Sequence, residues 1–189
     1  MNYIGLCGTA GTGKGEASSL LVNFGYQPIV LSDFVREETI ARGIQCSRKN
    51  FCKIGNELRQ KYGSDYMAQR AIKNIQQGFR YAIDGIRNPA ELVTLRLLPK
   101  FISIGIYADE NVLMERITRR CRQDDQGVTE KRELLYEERG RNQPAHGLRV
   151  DDCLKMCDYI IDGNPPLEEF KLIFVNLIRK ILSEKLTIL

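Results

Sequence analysis

The chain has 189 residues, with 28 Lys+Arg against 24 Asp+Glu and a formal net charge of +4. That length suits one domain of ordinary size, and 43% apolar residues can build a core, which excludes predominant disorder. So small a charge excess, with no Trp and 8% aromatics, argues against nucleic-acid or membrane-surface partners, which need a basic stripe or a stacking platform.

The predicted elements alternate in kind. Residues 2–7 read as a short buried strand, 8–15 as a glycine-rich loop, and 16–24 as a helix with Ala17, Leu20, Leu21 and Phe24 at helical spacing, ended by Gly25. A second strand covers 28–31. Ser32 is placed to cap the next helix, with Asp33 in its first turn. Residues 34–79 read as mostly helical, with breaks at Gly43, Gly55 and Gly63. A third strand covers 80–84 and ends on Asp84. A helix opens at Asn88-Pro89, where Pro suits the first turn. A continuously apolar strand covers 101–107, and a helix runs from about 110 to 122. Residues 124–149 are polar and weakly periodic, and are expected to be a mobile, partly helical excursion. A fifth strand at 159–161 and a closing amphipathic helix over about 166–186 complete the chain. Strands alternating with helices predict an α/β fold with a parallel, doubly wound sheet covered on both faces.

Charges interrupt every apolar stretch of spanning length, and the first residues lack the basic region of a secretory signal. A cytoplasmic protein is therefore expected, its six cysteines kept as free thiols. The pairs Cys46/Cys52 and Cys153/Cys157 are spaced more loosely than Cys-x2-Cys metal hooks, and are read as incidental or buried thiols in preference to a zinc site.

The chemistry is written first in Gly8-Thr9-Ala10-Gly11-Thr12-Gly13-Lys14, the G-x-x-x-x-G-K of a phosphate-binding loop between a strand and a helix. Glycines let consecutive backbone N–H groups converge on phosphate oxygens. The helix N-terminus adds its positive end, and Lys14 supplies a point charge. Gly15 stands where such loops usually carry the Ser or Thr hydroxyl that ligates Mg²⁺. Glu16 can hold the metal, directly or through water, or can simply be a helix-start carboxylate favoured by the dipole.

Carboxyl ends of parallel strands face one crevice. Asp84 is placed there as a Mg²⁺ ligand, and Arg87 within reach of an acceptor phosphate. Asp33 and Arg36 share a helix face, Asp33 to orient or deprotonate the acceptor and Arg36 to bind its phosphate. Arg116, Arg119 and Arg120 share another face, as arginines that a closing flap could bring to a transferring phosphoryl group. Between Glu115 and Asn142 there are eight basic and seven acidic residues, so that region is no general anion sponge. His146, the only histidine, lacks a nucleophile pattern around it. Arg59 fits an acceptor contact or a solvated helix position equally.

Together GTAGTGKGE (8–16), LSDFVREE (31–38), AIDGIRNPAE (82–91), ERITRRCRQDD (115–125) and CDYIIDGN (157–164) resemble P-loop kinases of small phosphorylated metabolites, the group of nucleoside monophosphate kinases and dephospho-CoA kinases. The match is closest to an archaeal-type family labelled dephospho-CoA kinase-related. DGIRNPAE is also similar to a kinase-like segment attached to some deoxycytidylate deaminases, but the zinc-deaminase signature is missing. The resemblance implies a five-stranded parallel sheet between helices, with a core at about 1–33, 80–120 and 150–189. It implies an acceptor-binding flap at about 34–79 and a lid at about 121–149. It also implies that Gly163-Asn164 lies near the donor's adenine and Arg119 alongside the base or phosphates. Adenylate-kinase-type enzymes likewise carry Gly after the lysine, so Gly15 is compatible with turnover. The expected activity is ATP- and Mg²⁺-dependent phosphoryl transfer to a nucleoside or deoxynucleoside monophosphate, with dephospho-CoA as the alternative acceptor. A nucleotide-sensing module without turnover is the alternative of another class.

Overall fold

The computed structural model of the protein describes residues 3–119 and 128–183, with side chains for all of these except 128–130. Five strands, β1 (Tyr3–Cys7), β2 (Tyr26–Val30), β3 (Arg80–Ile86), β4 (Phe101–Tyr107) and β5 (Tyr159–Asp162), form one sheet in the order β2-β3-β1-β4-β5. Every pairing is parallel. The helices between them are α1 (Lys14–Asn23), α2 (Leu31–Ala41), α3 (Arg48–Tyr62), α4 (Tyr66–Lys73), α5 (Pro89–Leu95), α6 (Glu110–Arg119), α7 (Val128–Arg139), α8 (Val150–Met156) and α9 (Leu167–Ser183). None of the described helices is long and apolar enough to cross a membrane.

Alternation along the strands sorts the side chains into two layers. Ile4 and Leu6 of β1, Ala82 of β3 and Ile104 and Ile106 of β4 pack with Ala17 and Leu21 of α1 and Phe170, Phe174 and Ile178 of α9. Tyr3 and Cys7 of β1 and Tyr81, Ile83 and Ile86 of β3 pack on the opposite face, with the buried sides of α2, α3, α4, α5 and α8. A third cluster joins Ala10, Ala108, Leu113, Ile117 and Leu135 under α6 and α7. Phe174 and Ile178 are fully buried, so truncating either to Ala removes roughly 2–5 kcal/mol.

Some boundaries differ from the sequence expectations, each for a local reason. β3 continues past Asp84 to Ile86, because Gly85 takes φ +88° and lets the strand bulge. Pairing to β1 shifts there, from Leu6↔Asp84 to Cys7↔Ile86. Asp84 therefore shares the face of Ala82, toward α1, while Ile86 returns to the other core. Helix α2 begins at Leu31 with Val30 as N-cap and no side-chain cap bond, so Ser32 lies within the first turn and caps nothing. Gly55 does not break a helix but sits inside α3. A Cβ there would lie 3.2 Å from Arg59 Nη1 and 3.6 Å from Val35, so it admits close packing against α2. Asn88 caps α5 as expected, in a reciprocal capping box with Glu91. The segment expected to be a mobile excursion holds α7, docked through buried Leu135 and Glu138.

Candidate functional site

The loop after β1 is held by its own backbone. Gly13, at φ +104°, turns the chain into α1, a conformation that glycine adopts without a Cβ penalty. Thr12 Oγ1 donates to Thr9 O at 2.9 Å. Lys14 Nζ donates to the same carbonyl at 2.8 Å, so the ammonium lies folded over the loop. Burial pushes the Lys14 ammonium below its ordinary value, and Arg87 adds to that against the opposing charges of Asp84 and Glu138.

The loop opens onto a cleft of about 550 Å³. Ala10, Gly11, Gly13, Lys14, Gly15 and Glu16 form its donor-side wall, and Ser32, Asp33, Val35 and Arg36 of α2 its far wall. Arg48, Phe51, Cys52, Gly55 and Arg59 enter from α3, and Asp84, Gly85 and Arg87 from the end of β3. Lys14, Asp33, Arg36, Asp84 and Arg87, far apart in sequence, thus share one space with Glu16. Gly8, Thr9 and Thr12 stand behind the lining as the loop's frame. A Cβ on Gly8 would lie 2.6 Å from Ile106 O.

Among the described residues, Asp84 Oδ1 is buried and has no hydrogen-bond partner. An orphaned carboxylate oxygen beside a phosphate loop fits a hydrated cation, which Mg²⁺ sites hold through one or two carboxylates and waters. Glu16, exposed in the first turn of α1, is the second candidate. Among the described residues no three His, Cys, Asp or Glu side chains converge as a ready-made metal cage. Asp33 sits at the cleft mouth. The desolvation it does undergo, reinforced by Glu37 and Asp84 and opposed by Arg36, raises its carboxyl above the ordinary value. The Arg36 guanidinium lies over the Phe51 ring, 4.6 Å from its centroid.

The arginines of α6 separate. Arg116 donates to Gly163 O at 2.5 Å, to Pro165 O at 2.9 Å and to Asn164 O at 3.2 Å, with a longer contact of 3.4 Å to Gly11 O. Arg116 also lines the main cleft, and these bonds to backbone carbonyls tie α6 to the loop after β5. Arg119 is exposed and pairs with Glu115 at 2.7 Å, outside the cleft lining. Arg120 lies outside the described residues. The side chain of Asn164 accepts from Asp109 N at 2.8 Å. Beside it a second cavity of about 240 Å³ is lined by Gly11, Thr12, Gly13, Glu16, Arg116, Pro165, Leu167 and Phe170.

Two site residues had no signal in the sequence. Glu138 of α7 is fully buried and accepts from Ala10 N at 2.8 Å and from Arg48. Arg87 Nη1 stands 3.3 Å away. Burial alone would raise this carboxyl, but Arg48, Arg87, Lys14 and the Ala10 amide outweigh it and hold it at about 2. In the charge-alternating stretch 131–141 nothing distinguishes Glu138 from Glu133 or Glu137. Arg48, at the start of α3, reads from sequence as one more surface cation. Arg59, left open above, is buried and donates to Glu91 at 3.0 Å. Glu91 also accepts from the backbone N–H groups of Arg87 and Asn88, which fixes the turn that presents Arg87.

Comparison with solved structures gives the fold. Shikimate kinase from Acinetobacter baumannii, in complex with shikimate, superposes with a TM-score of 0.57 at 15% identity, covering 98% of this chain and 94% of that one. Shikimate kinase from Aquifex aeolicus gives 0.54 at 18% identity, covering 95% and 98%. The α/β architecture with helices on both sides of a parallel sheet is therefore that of P-loop kinases. No protein-family model matches the chain. A UPF0200/UPF0201 protein of Archaeoglobus fulgidus is 32% identical over 188 residues, 96% of this chain. The chain spans 55% of that relative's length. A UPF0200 protein of Methanoculleus marisnigri is 32% identical over 173 residues, covering 90% of this chain and 91% of that protein. At that identity over nearly the full length of both, the chain belongs to the UPF0200 family.

Proposed function

We propose that the protein is an ATP-dependent phosphotransferase acting on a small phosphorylated acceptor. The first choice is a nucleoside or deoxynucleoside monophosphate, and the second is dephospho-CoA. The carrying observation is that one cleft of about 550 Å³ joins the phosphate loop with Lys14, the unpartnered Asp84 oxygen, Asp33, and arginines 36, 48, 59 and 87. Cations on every wall suit a site that must hold two phosphorylated ligands at once.

In this reading Lys14 and the amides of residues 9–15 hold the donor phosphates, and Asp84 and Glu16 hold Mg²⁺ and its waters. When bound, that metal neutralises phosphate charge. Asp33 positions the acceptor's attacking oxygen and receives its proton, a role favoured by a carboxyl raised above its ordinary value. Arg36 and Arg87 bind the acceptor's phosphate, and the Phe51 ring offers a stacking wall. The second cavity, with Pro165, Phe170 and Arg116 at hand, suits the donor's base near Asn164, with Arg116 in the place first expected for Arg119. Residues 34–79 serve as the acceptor-binding flap and 121–149 as the lid, with Arg119 and Arg120 at its root. Closure excludes water and suppresses idle hydrolysis.

Gly15, which leaves no hydroxyl at the metal position, favours a second reading, a sensor that binds nucleotide without turnover. A coupled assay of ATP consumption across nucleoside monophosphates and dephospho-CoA separates the two, with Lys14→Ala as the control that must abolish any signal. Acceleration by one acceptor supports the kinase. ATP binding with no acceleration by any acceptor refutes it.

A further inference from the structure

The buried carboxylate of Glu138 marks a site built for something larger. Its partners are the N–H of Ala10, within the phosphate loop, the Arg48 guanidinium and, at 3.3 Å, Arg87. Lys14 is close enough to help hold it ionised. A loop amide, two guanidinium groups and an ammonium form the donor set of a phosphoryl oxyanion site. Lys14, Arg48 and Arg87 all act on this one carboxylate, and among the described residues Arg87 Nε is buried without a hydrogen-bond partner. A carboxylate, with two oxygens and a single charge, underfills this set, whereas a phosphoryl group brings a third oxygen and more charge. The donors also come from both sides of the cleft, Ala10 and Lys14 from the phosphate loop, Arg48 from α3, and Arg87 from the end of β3.

We propose that Ala10 N–H, Arg48, Arg87 and Lys14 form a binding site for a phosphoryl oxyanion at the junction of the two ligands, and that Glu138 is its resident competitor. The identification of the ligand as a phosphoryl group rests on the kinase reading above. The Ala10 N–H can serve one anion at a time, and two anions at hydrogen-bond distance repel. Entry of the phosphoryl group therefore expels the Glu138 carboxylate and draws α7 from its seat. Until then the internal anion keeps part of the population closed to ligand, which lowers apparent affinity by the fraction closed.

Pyrophosphate and ATP, each titrated calorimetrically into the full chain and into Glu138→Gln, test this. Glu138→Gln keeps the side chain's shape and removes the competing charge, so both probes are expected to bind about tenfold more tightly or better. Unchanged or weaker binding to folded Glu138→Gln would overturn the proposal, because Glu138 would then be holding the arginines for the ligand. Where Glu138→Gln does not fold, hydrogen exchange on the unaltered protein decides. Saturating pyrophosphate should speed backbone exchange over 131–139, and unchanged or slowed exchange there overturns the proposal. Neither readout uses turnover, so the kinase reading can fail while tighter pyrophosphate binding stands, and the reverse result is equally separable.

Discussion

Acidification should expose how much of the fold hangs on Glu138. In the folded protein its carboxyl is held at about 2 against an ordinary 4.5. A group depressed on folding contributes its stability above the ordinary value and loses it as pH falls through the folded one. The span corresponds to about 3 kcal/mol for this fully buried side chain, a large share of a domain's net stability. The perturbation is Glu138→Gln, and the assay is urea denaturation of both proteins in steps between about pH 7 and pH 2. At neutral pH the variant should be less stable by roughly 3–5 kcal/mol, since Arg48 and Arg87 lose a buried partner. The gap should close by about 3 kcal/mol on acidification, as the unaltered protein protonates Glu138 and the variant has nothing there to protonate. Other carboxylates titrate in both proteins and cancel. Two stability curves that stay parallel across that range would refute this account of Glu138.

Gly163→Ala should destabilise the protein by about 1–3 kcal/mol and weaken ATP binding, because its Cβ would lie 2.7 Å from Thr12 O and 2.9 Å from Tyr107 O, both unyielding backbone atoms. A melting curve and a titration check it, and an unshifted Tm refutes it. Gly15→Ser meets nothing within 4 Å, so it should be tolerated with a gain of about 0.5 kcal/mol from helix propensity. It should also tighten Mg²⁺-ATP binding, and a lower Tm would count against the open space seen at that position. Asp84→Asn should shift the Mg²⁺ requirement of ATP binding to higher concentration while leaving the fold intact, and an unaltered Mg²⁺ titration would remove Asp84 from the metal site.

The phosphate loop was legible because its glycines do work that no other residue can, and because its flanks announce strand and helix. Parallel strands then carried Asp33, Asp84 and Arg87 to one edge by topology alone. Asp84 was nonetheless misplaced within its strand. The strand runs on past it to Ile86 through a bulge that depends on Gly85 adopting a positive φ, and the apolar pattern of 80–84 is silent on that. The acceptor-side contacts were less legible. Gly55 reads as a helix breaker until Val35 and Arg59 are seen against it. Arg48 and Glu138, 90 residues apart, each look like solvated charges, since a buried ion pair leaves no periodic trace in either partner. Arg116 followed the helical spacing expected of it, but spacing gives the face of a helix and not the carbonyls waiting opposite.

Those carbonyls give Arg116 a consequence of its own. One side chain laces together α6, the phosphate loop, reached at Gly11 105 positions away, and the turn at Gly163–Pro165. Loops that would otherwise fray independently become one cooperative unit, opening together or not at all. The donor wall is thereby preorganised before any ligand arrives, and little ordering entropy remains to be lost there on binding. The ordering cost of ligand capture then falls on the opposite wall, on α2, α3 and the seat of α7, and discrimination among acceptors resides where the chain still has freedom to lose.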